Sequence, residues 1–133
     1  MKAIILKAPR KLELREIPNP VFGEYEVLCS IEASAVCSGT DRHIFNNDYP
    51  FKVNFPVVIG HEAIGRVVAC GKKVKYFKLG DLVSRINNRL PEGCGINLLW
   101  GGMAEFGIAV DWQAMKKDGL NKDLWKKFTA NRV

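Results

Sequence analysis

Between Val27 and Val36 the chain alternates with a period of two. Val27, Cys29, Ile31, Ala33 and Ala35 fall on one side, and Ser30, Glu32 and Ser34 on the other. This is the pattern of a β-strand with one buried face. A lone strand is not stable in water, so the run commits the chain to a sheet packed over a core. Cys37 continues the apolar face.

Shorter segments of the same kind lie on both sides. Ala3 to Leu6 is a brief apolar run, and Lys11 to Glu16 alternates apolar with charged residues as a half-exposed strand does. Pro18, Asn19, Pro20 and Gly23 then break the chain. Phe55 to Gly60 leads into His61-Glu62, and Ala63 to Ala69 reads as a strand interrupted by Gly65. Gly71 and Gly80-Asp81 mark turns, Leu82 to Ser84 resumes extended structure, and Met103 to Val110 is strand-like again. Ser38-Gly39-Thr40-Asp41 has turn chemistry, while Asn46 to Pro50 and Asn87 to Gly95 read as loops.

Only the tail predicts a helix. Leu120, Leu124 and Phe128 recur at helical spacing beside Trp125, with Asn121 as N-cap and Asp123 near the positive end of the dipole. Many short strands with glycine turns predict a mainly β chain, a barrel or sandwich and not a parallel βαβ sheet.

A length of 133 residues is one domain's worth of chain, and 47% hydrophobic with 26% charged residues excludes disorder as the dominant state. No apolar run approaches the ~18–20 residues of a membrane span, and the run after Met1 is too short for a signal peptide. A cytoplasmic, reducing location is expected, with no membrane partner. The net charge of +6 is scattered in pairs such as Lys72-Lys73 and Lys116-Lys117, without a basic stripe interleaved with aromatics, so no nucleic-acid partner is expected. Cys29, Cys37, Cys70 and Cys94 are irregularly spaced with no CxxC, which points to free, buried or metal-bound thiols over disulfides.

The segment Gly60-His61-Glu62-Ala63-Ile64-Gly65-Arg66-Val67-Val68-Ala69-Cys70-Gly71, followed by Val74, Gly80-Asp81 and Val83, resembles the signature of medium-chain zinc-dependent alcohol dehydrogenases. Supporting pieces stand in order: Met1-Lys2-Ala3, then Cys37 with Gly39-Thr40-Asp41-Arg42-His43, then Gly101-Gly102-Met103-Ala104-Glu105-Phe106. The resemblance spans nearly all of residues 1–115. It implies a GroES-like, partly open β-barrel with short helices and a C-terminal helix over residues 1–133. This is the catalytic domain of enzymes that oxidise a small alcohol or polyol with NAD or NADP. The Gly-Thr-Asp-x-His run is similar to the polyol and threonine dehydrogenase branch.

By that resemblance Cys37 and His61 are zinc ligands, and Glu62 is a ligand or an exchangeable carboxylate beside them. Asp41 orients His61 through its other ring nitrogen. Thr40 or Ser38 passes the substrate proton outward, with His43 next in the relay.

Departures from the family pattern leave alternatives open. Cys37-Ser38-Gly39-Thr40-Asp41 is one residue longer than the family's Cys-Gly-Thr-Asp, so a slip would turn Cys37 to the opposite face unless a bulge absorbs it. Cys37 is then a ligand or a buried, inert thiol. Glu62 follows His61 directly and reaches a shared ion only if Gly60 lets the backbone turn; otherwise it is a buried carboxylate paired with an arginine. Thr40 and Ser38 have an alternative as turn residues, and His43 as a surface loop residue.

Only Cys94 lies in the region from Arg85 to Trp100 that matches the family's four-cysteine lobe, so no structural zinc is expected. No Gly-x-Gly-x-x-Gly follows a strand, so the nucleotide-binding domain is expected to be absent from this chain and no NAD or NADP to bind it alone. Inactivity in isolation follows, with a separate nucleotide domain or a second copy as partner. Two other readings stand beside this one: a non-enzymatic GroES-like assembly module, and a zinc-free relative of the quinone reductases.

Overall fold

The alternating run becomes the centre of a sheet. The computed structural model describes residues 1–126 and 130–133. Its elements are β1 (Lys2–Ala8), β2 (Lys11–Glu16), β3 (Glu26–Ala35), α1 (Thr40–Asn46), β4 (Val57–Val58), β5 (Glu62–Cys70), β6 (Leu82–Ser84), β7 (Asn97–Leu98), β8 (Phe106–Val110), α2 (Trp112–Lys117) and α3 (Lys122–Trp125). One sheet runs β6-β5-β3-β8 and the other β2-β1-β4-β7.

The segment before β8 stitches the sheets together. The Ile4 amide donates to Met103 O at 2.9 Å and the Ile31 amide to Glu105 O at 2.9 Å, so this stretch bonds to β1 and β3 alike. The result is a mainly β, partly open barrel, as the resemblance implies.

Within β3 the alternation holds only to the middle. Val27 and Cys29 are buried, but Ala33 to Ala35 are exposed. The register explains it: Ile31 faces Gly65 and Ala33 faces Ile64, so an extra residue of β3 bulges out near Glu32. Beyond the bulge the strand leaves the core. Gly65 lies where a Cβ would sit 2.5 Å from Ser30 O, which lets the two backbones pair this closely.

Helix α1 is the main element not legible as such, because Ser38 to Asp41 reads as a turn and a loop is read from Asn46 onward. Its capping residue Gly39 contributes no side-chain hydrogen bond. The helix is held instead by Ile44, fully buried against Leu6, Val57 and Ile59.

At the other end, Asp111 caps α2 by accepting from the Ala114 amide at 2.9 Å, and its second oxygen accepts from the Lys75 and Tyr76 amides. The tail helix is shorter than its spacing predicts. Asn121 does cap it, accepting from the Asp123 amide at 2.9 Å, but α3 spans one turn and Leu124 is exposed. The expected helical position Phe128 lies outside the described residues. Trp125 stacks on Trp112 with ring centroids 6.1 Å apart, so packing anchors this turn. The last residues then cover the β6 edge, with Ser84 donating to Asn131 O and Val133 to Leu82 O. Among the described residues no helix is long and apolar enough to cross a membrane.

Candidate metal centre

Strand register brings the two distant signature segments together. Ala35, the last residue of β3, pairs with Glu62, the first of β5. The chain leaving β3 therefore runs past the chain entering β5, and Cys37 comes beside His61. The extra residue in Cys37-Ser38-Gly39-Thr40 does no harm, because β3 has already bulged and ended before it. Ligand atoms of Cys37, His61 and Glu62 lie within 4.8 Å of one another.

Gly60 makes this possible for two consecutive residues. Its φ of 103° turns the chain immediately before His61, and a Cβ there would lie 2.9 Å from the Met103 amide nitrogen. His61 Nε2 stands 3.8 Å from Glu62 Oε1. The Glu62 side chain is 49% exposed, so the alternative of a buried carboxylate does not hold.

Cys37 and Asp41 lock each other across the first turn of α1. The Cys37 amide donates to Asp41 Oδ2 at 2.9 Å, and the Asp41 amide donates to Cys37 O at 3.2 Å. The Thr40 amide points at Cys37 Sγ at 3.4 Å. That amide, then the Gly39 amide and the Thr40 hydroxyl, hold the thiol below its ordinary pKa, while burial and the nearby Glu62 act in the opposite direction. Cys37 is half-buried and faces the cluster, unlike an inert core thiol such as Cys29.

Behind the cluster sit two atoms that face each other without a bond. Asp41 Oδ1 and His61 Nδ1 are both buried, both lack a hydrogen-bond partner, and lie 3.7 Å apart. An approach of less than ~1 Å gives an Nδ1–H to carboxylate hydrogen bond. That bond leaves the Nε2 lone pair directed at Cys37 and Glu62.

The donor set of thiolate, imidazole and carboxylate suits zinc. Zinc bonds of ~2.0–2.3 Å require donor atoms roughly 3.3–3.8 Å apart. The three groups therefore need to close by about 1 Å, within the reach of side-chain rotation. The residues present fit the ion the fold implies.

The remaining expected residues divide. Thr40 touches the cluster through its contacts to Cys37. Ser38 is exposed. His43, one turn along α1 from Thr40, is turned to solvent with Nδ1 2.8 Å from Asp48 Oδ1. Cys94 lies away from the centre, against Ile96 O.

Sequence reasoning missed two features. The Trp100 ring lies 5.0 Å from the His61 ring, and a cavity of about 700 Å³ opens beside His61 and Glu62 with Arg85 in its wall. Trp100 and Arg85 both have left-handed backbone, which no side-chain pattern announces.

Comparison with known proteins identifies the family. The family described as the alcohol dehydrogenase GroES-like domain matches residues 23–119. L-threonine 3-dehydrogenase of Shewanella baltica OS155 is 45% identical over 145 aligned residues, covering 93% of this chain and 42% of that protein. The chain thus spans less than half the length of this curated relative. An alcohol dehydrogenase superfamily protein from Novosphingobium aromaticivorans superposes with a TM-score of 0.66 at 29% identity, over 86% of this chain and 33% of that one. A quinone oxidoreductase from Coxiella burnetii gives a TM-score of 0.63 at 23% identity, over 84% of this chain and 35% of that one, which shows the shared fold alone. With its family match, the two joined sheets and the Gly60-to-Gly71 signature at the sheet mouth, the chain belongs to the alcohol dehydrogenase GroES-like domain family.

Proposed function

We propose that residues 1–133 form the catalytic domain of a zinc-dependent dehydrogenase acting on a small alcohol or polyol. The observation that carries this reading is the convergence of Cys37, His61 and Glu62, backed by the unpaired facing atoms of Asp41 and His61. Cys37 Sγ, His61 Nε2 and the Glu62 carboxylate would hold the metal. When bound, zinc supplies Lewis acidity that lowers the pKa of an alcohol or polarises a carbonyl.

The chain's own groups do the rest. Asp41 fixes the His61 tautomer by accepting from Nδ1. Thr40, whose hydroxyl lies at Cys37, would accept the substrate's hydroxyl proton while giving up its own toward His43, which with Asp48 releases a proton to solvent one helical turn away. Ser38, being exposed, is the weaker candidate for that first step. The Trp100 ring covers one side of His61 and limits water there.

NAD or NADP would supply the hydride acceptor, and a nucleotide-binding domain outside these residues would hold it. The relatives' greater length supports that division. Residues 1–133 alone bind no dinucleotide and turn over no alcohol. A titration with NADH followed by its fluorescence tests this, and tight binding would refute it. The converging ligands favour this reading over a zinc-free reductase or an assembly module.

Zinc per chain by elemental analysis is the deciding experiment. The expected value is one for the wild type and near zero for Cys37→Ser and His61→Ala. Equal zinc in all three proteins overturns the proposal.

A further inference from the structure

We infer that two copies of this chain pair edge to edge through β2, in an antiparallel register centred on Leu14, so that their β2-β1-β4-β7 sheets join into one. The pairing needs no metal and stands apart from the Cys37–His61 centre.

Strand order leaves one long side of β2 open, because β2 ends the sheet β2-β1-β4-β7. The register decides which backbone groups lie on that side. Met1 and Ile17 exchange both backbone bonds, each at 2.8 Å, and so form a hydrogen-bonded pair. Antiparallel pairs alternate from there, which makes Lys2–Glu16, Ile4–Leu14 and Leu6–Leu12 the pairs without mutual bonds. The Ile4 amide agrees, since it turns away from β2 to Met103 O at 2.9 Å. Leu12, Leu14 and Glu16 therefore aim their N–H and C=O groups out of the free edge, and among the described residues no turn or loop bonds to them. Such an edge is a template for another strand.

Antiparallel addition joins outward-aimed residues to outward-aimed residues. With the two-fold axis at Leu14, Leu14 meets Leu14 of the second copy and Leu12 meets its Glu16, which gives roughly six backbone bonds. Between them Glu13 faces Arg15 of the second copy, and Arg15 faces its Glu13. The neighbouring allowed registers set Glu13 opposite Glu13, or Arg15 opposite Arg15, and like charges directly opposite are destabilising. Within one chain Glu13 already contacts Arg15 and Lys7. Pairing closes Glu13 and Arg15 of both copies into a ring of alternating sign. Charge usually guards an edge against pairing, whereas here it complements itself in one register.

The opposite face of the edge is apolar. Leu14 is 69% exposed, Leu12 51% and Ile4 40%. Ile4 and Leu14 also border a groove of about 450 Å³ with Ile31, Val36 and Met103. The two-fold sets the two Leu14 residues side by side, about 5.5 Å apart at Cα, and covers part of this surface. A ladder this short is a small interface, so a dissociation constant on the order of 10–100 μM is expected.

Sedimentation of the full chain under reducing conditions, from micromolar to near-millimolar concentration, reads the association. The wild type should dimerise. Leu14→Asp sets two carboxylates at the axis and should abolish dimerisation. Arg15→Glu and Glu13→Arg each set like charges opposite one another and should weaken it by about tenfold or more. An equimolar mixture of Arg15→Glu with Glu13→Arg should regain wild-type association, which misfolded variants could not do. A wild type that stays monomeric throughout would overturn the inference. So would a dimer that Leu14→Asp or the single reversals leave unchanged, or a mixture that associates no better than its components.

Discussion

Asp41→Asn is the substitution that separates orientation of a ligand from the ligand itself. In the native site Asp41 Oδ2 accepts from the Cys37 amide and Oδ1 faces His61 Nδ1. An asparagine keeps the first contact only by placing its carbonyl oxygen toward Cys37. Its NH2 then faces His61 Nδ1, which must act as acceptor. The ring proton moves to Nε2, the nitrogen nearest Glu62. A protonated Nε2 cannot donate a lone pair to a metal, so binding requires the ring to change tautomer or the amide to flip against the Cys37 amide. Loss of such an orienting partner lowers metal affinity by about 10- to 100-fold, or ~1.4–2.8 kcal/mol. The metal-free fold, which keeps the Cys37 contact, changes by less than ~1 kcal/mol. Zinc competition against a chromophoric chelator gives the affinity, and urea unfolding of the metal-free protein gives the stability. Wild-type zinc affinity in Asp41→Asn would refute the reasoning.

Three further outcomes follow from packing and burial. Gly71→Ala places a Cβ 2.3 Å from Gly23 O and 2.5 Å from Glu24 O, both backbone, and should cost ~2–4 kcal/mol by urea unfolding. Gly80→Ala, with φ 86° but open space around it, should cost only ~1 kcal/mol, so the reverse order would contradict the structure. Burial, with Cys70 adding to it, pushes the Cys29 thiol up to about 12 from an ordinary value of 9.0. The unfolded thiol ionises near pH 9 while the folded one keeps its proton to about pH 12, so stability falls as pH rises through that window by at most ~1.4 kcal/mol per pH unit. Cys29→Ala should show a shallower decline between pH 9 and 11 in unfolding midpoints; an identical slope argues against it. Asp111→Ala leaves the amides of Lys75, Tyr76 and Ala114 without their shared carboxylate and should destabilise by ~2–4 kcal/mol. A change below ~0.5 kcal/mol would show that water replaces all three bonds.

Much of the fold was legible because strands and glycine turns are local signals. The runs read as strands over Val27 to Val36, Lys11 to Glu16 and Ala63 to Ala69 became β3 (Glu26–Ala35), β2 (Lys11–Glu16) and β5 (Glu62–Cys70). Burial along β3 departed from the alternation after Ile31, because a bulge depends on which partner faces the strand, and the partner is not written in the strand itself. Helix α1 was not read as a helix, for a related reason. Its short length and glycine cap give no intrinsic helix signal, and a tertiary anchor, Ile44, supplies the stability.

Of the candidate site, Cys37, His61 and Glu62 were legible only through the family signature, since no periodicity links positions so far apart. The structure supplies the link through the Ala35–Glu62 pairing.

The central claim is that one sulfur and one imidazole, drawn together by that pairing, grip a divalent ion. X-ray absorption at the zinc edge of the loaded chain addresses it directly. The predicted spectrum has one sulfur at ~2.3 Å among lighter nitrogen and oxygen neighbours at ~2.0–2.2 Å, and the sulfur contribution vanishes in Cys37→Ser. A zinc shell of nitrogen and oxygen only, or one whose sulfur persists in Cys37→Ser, would contradict the account.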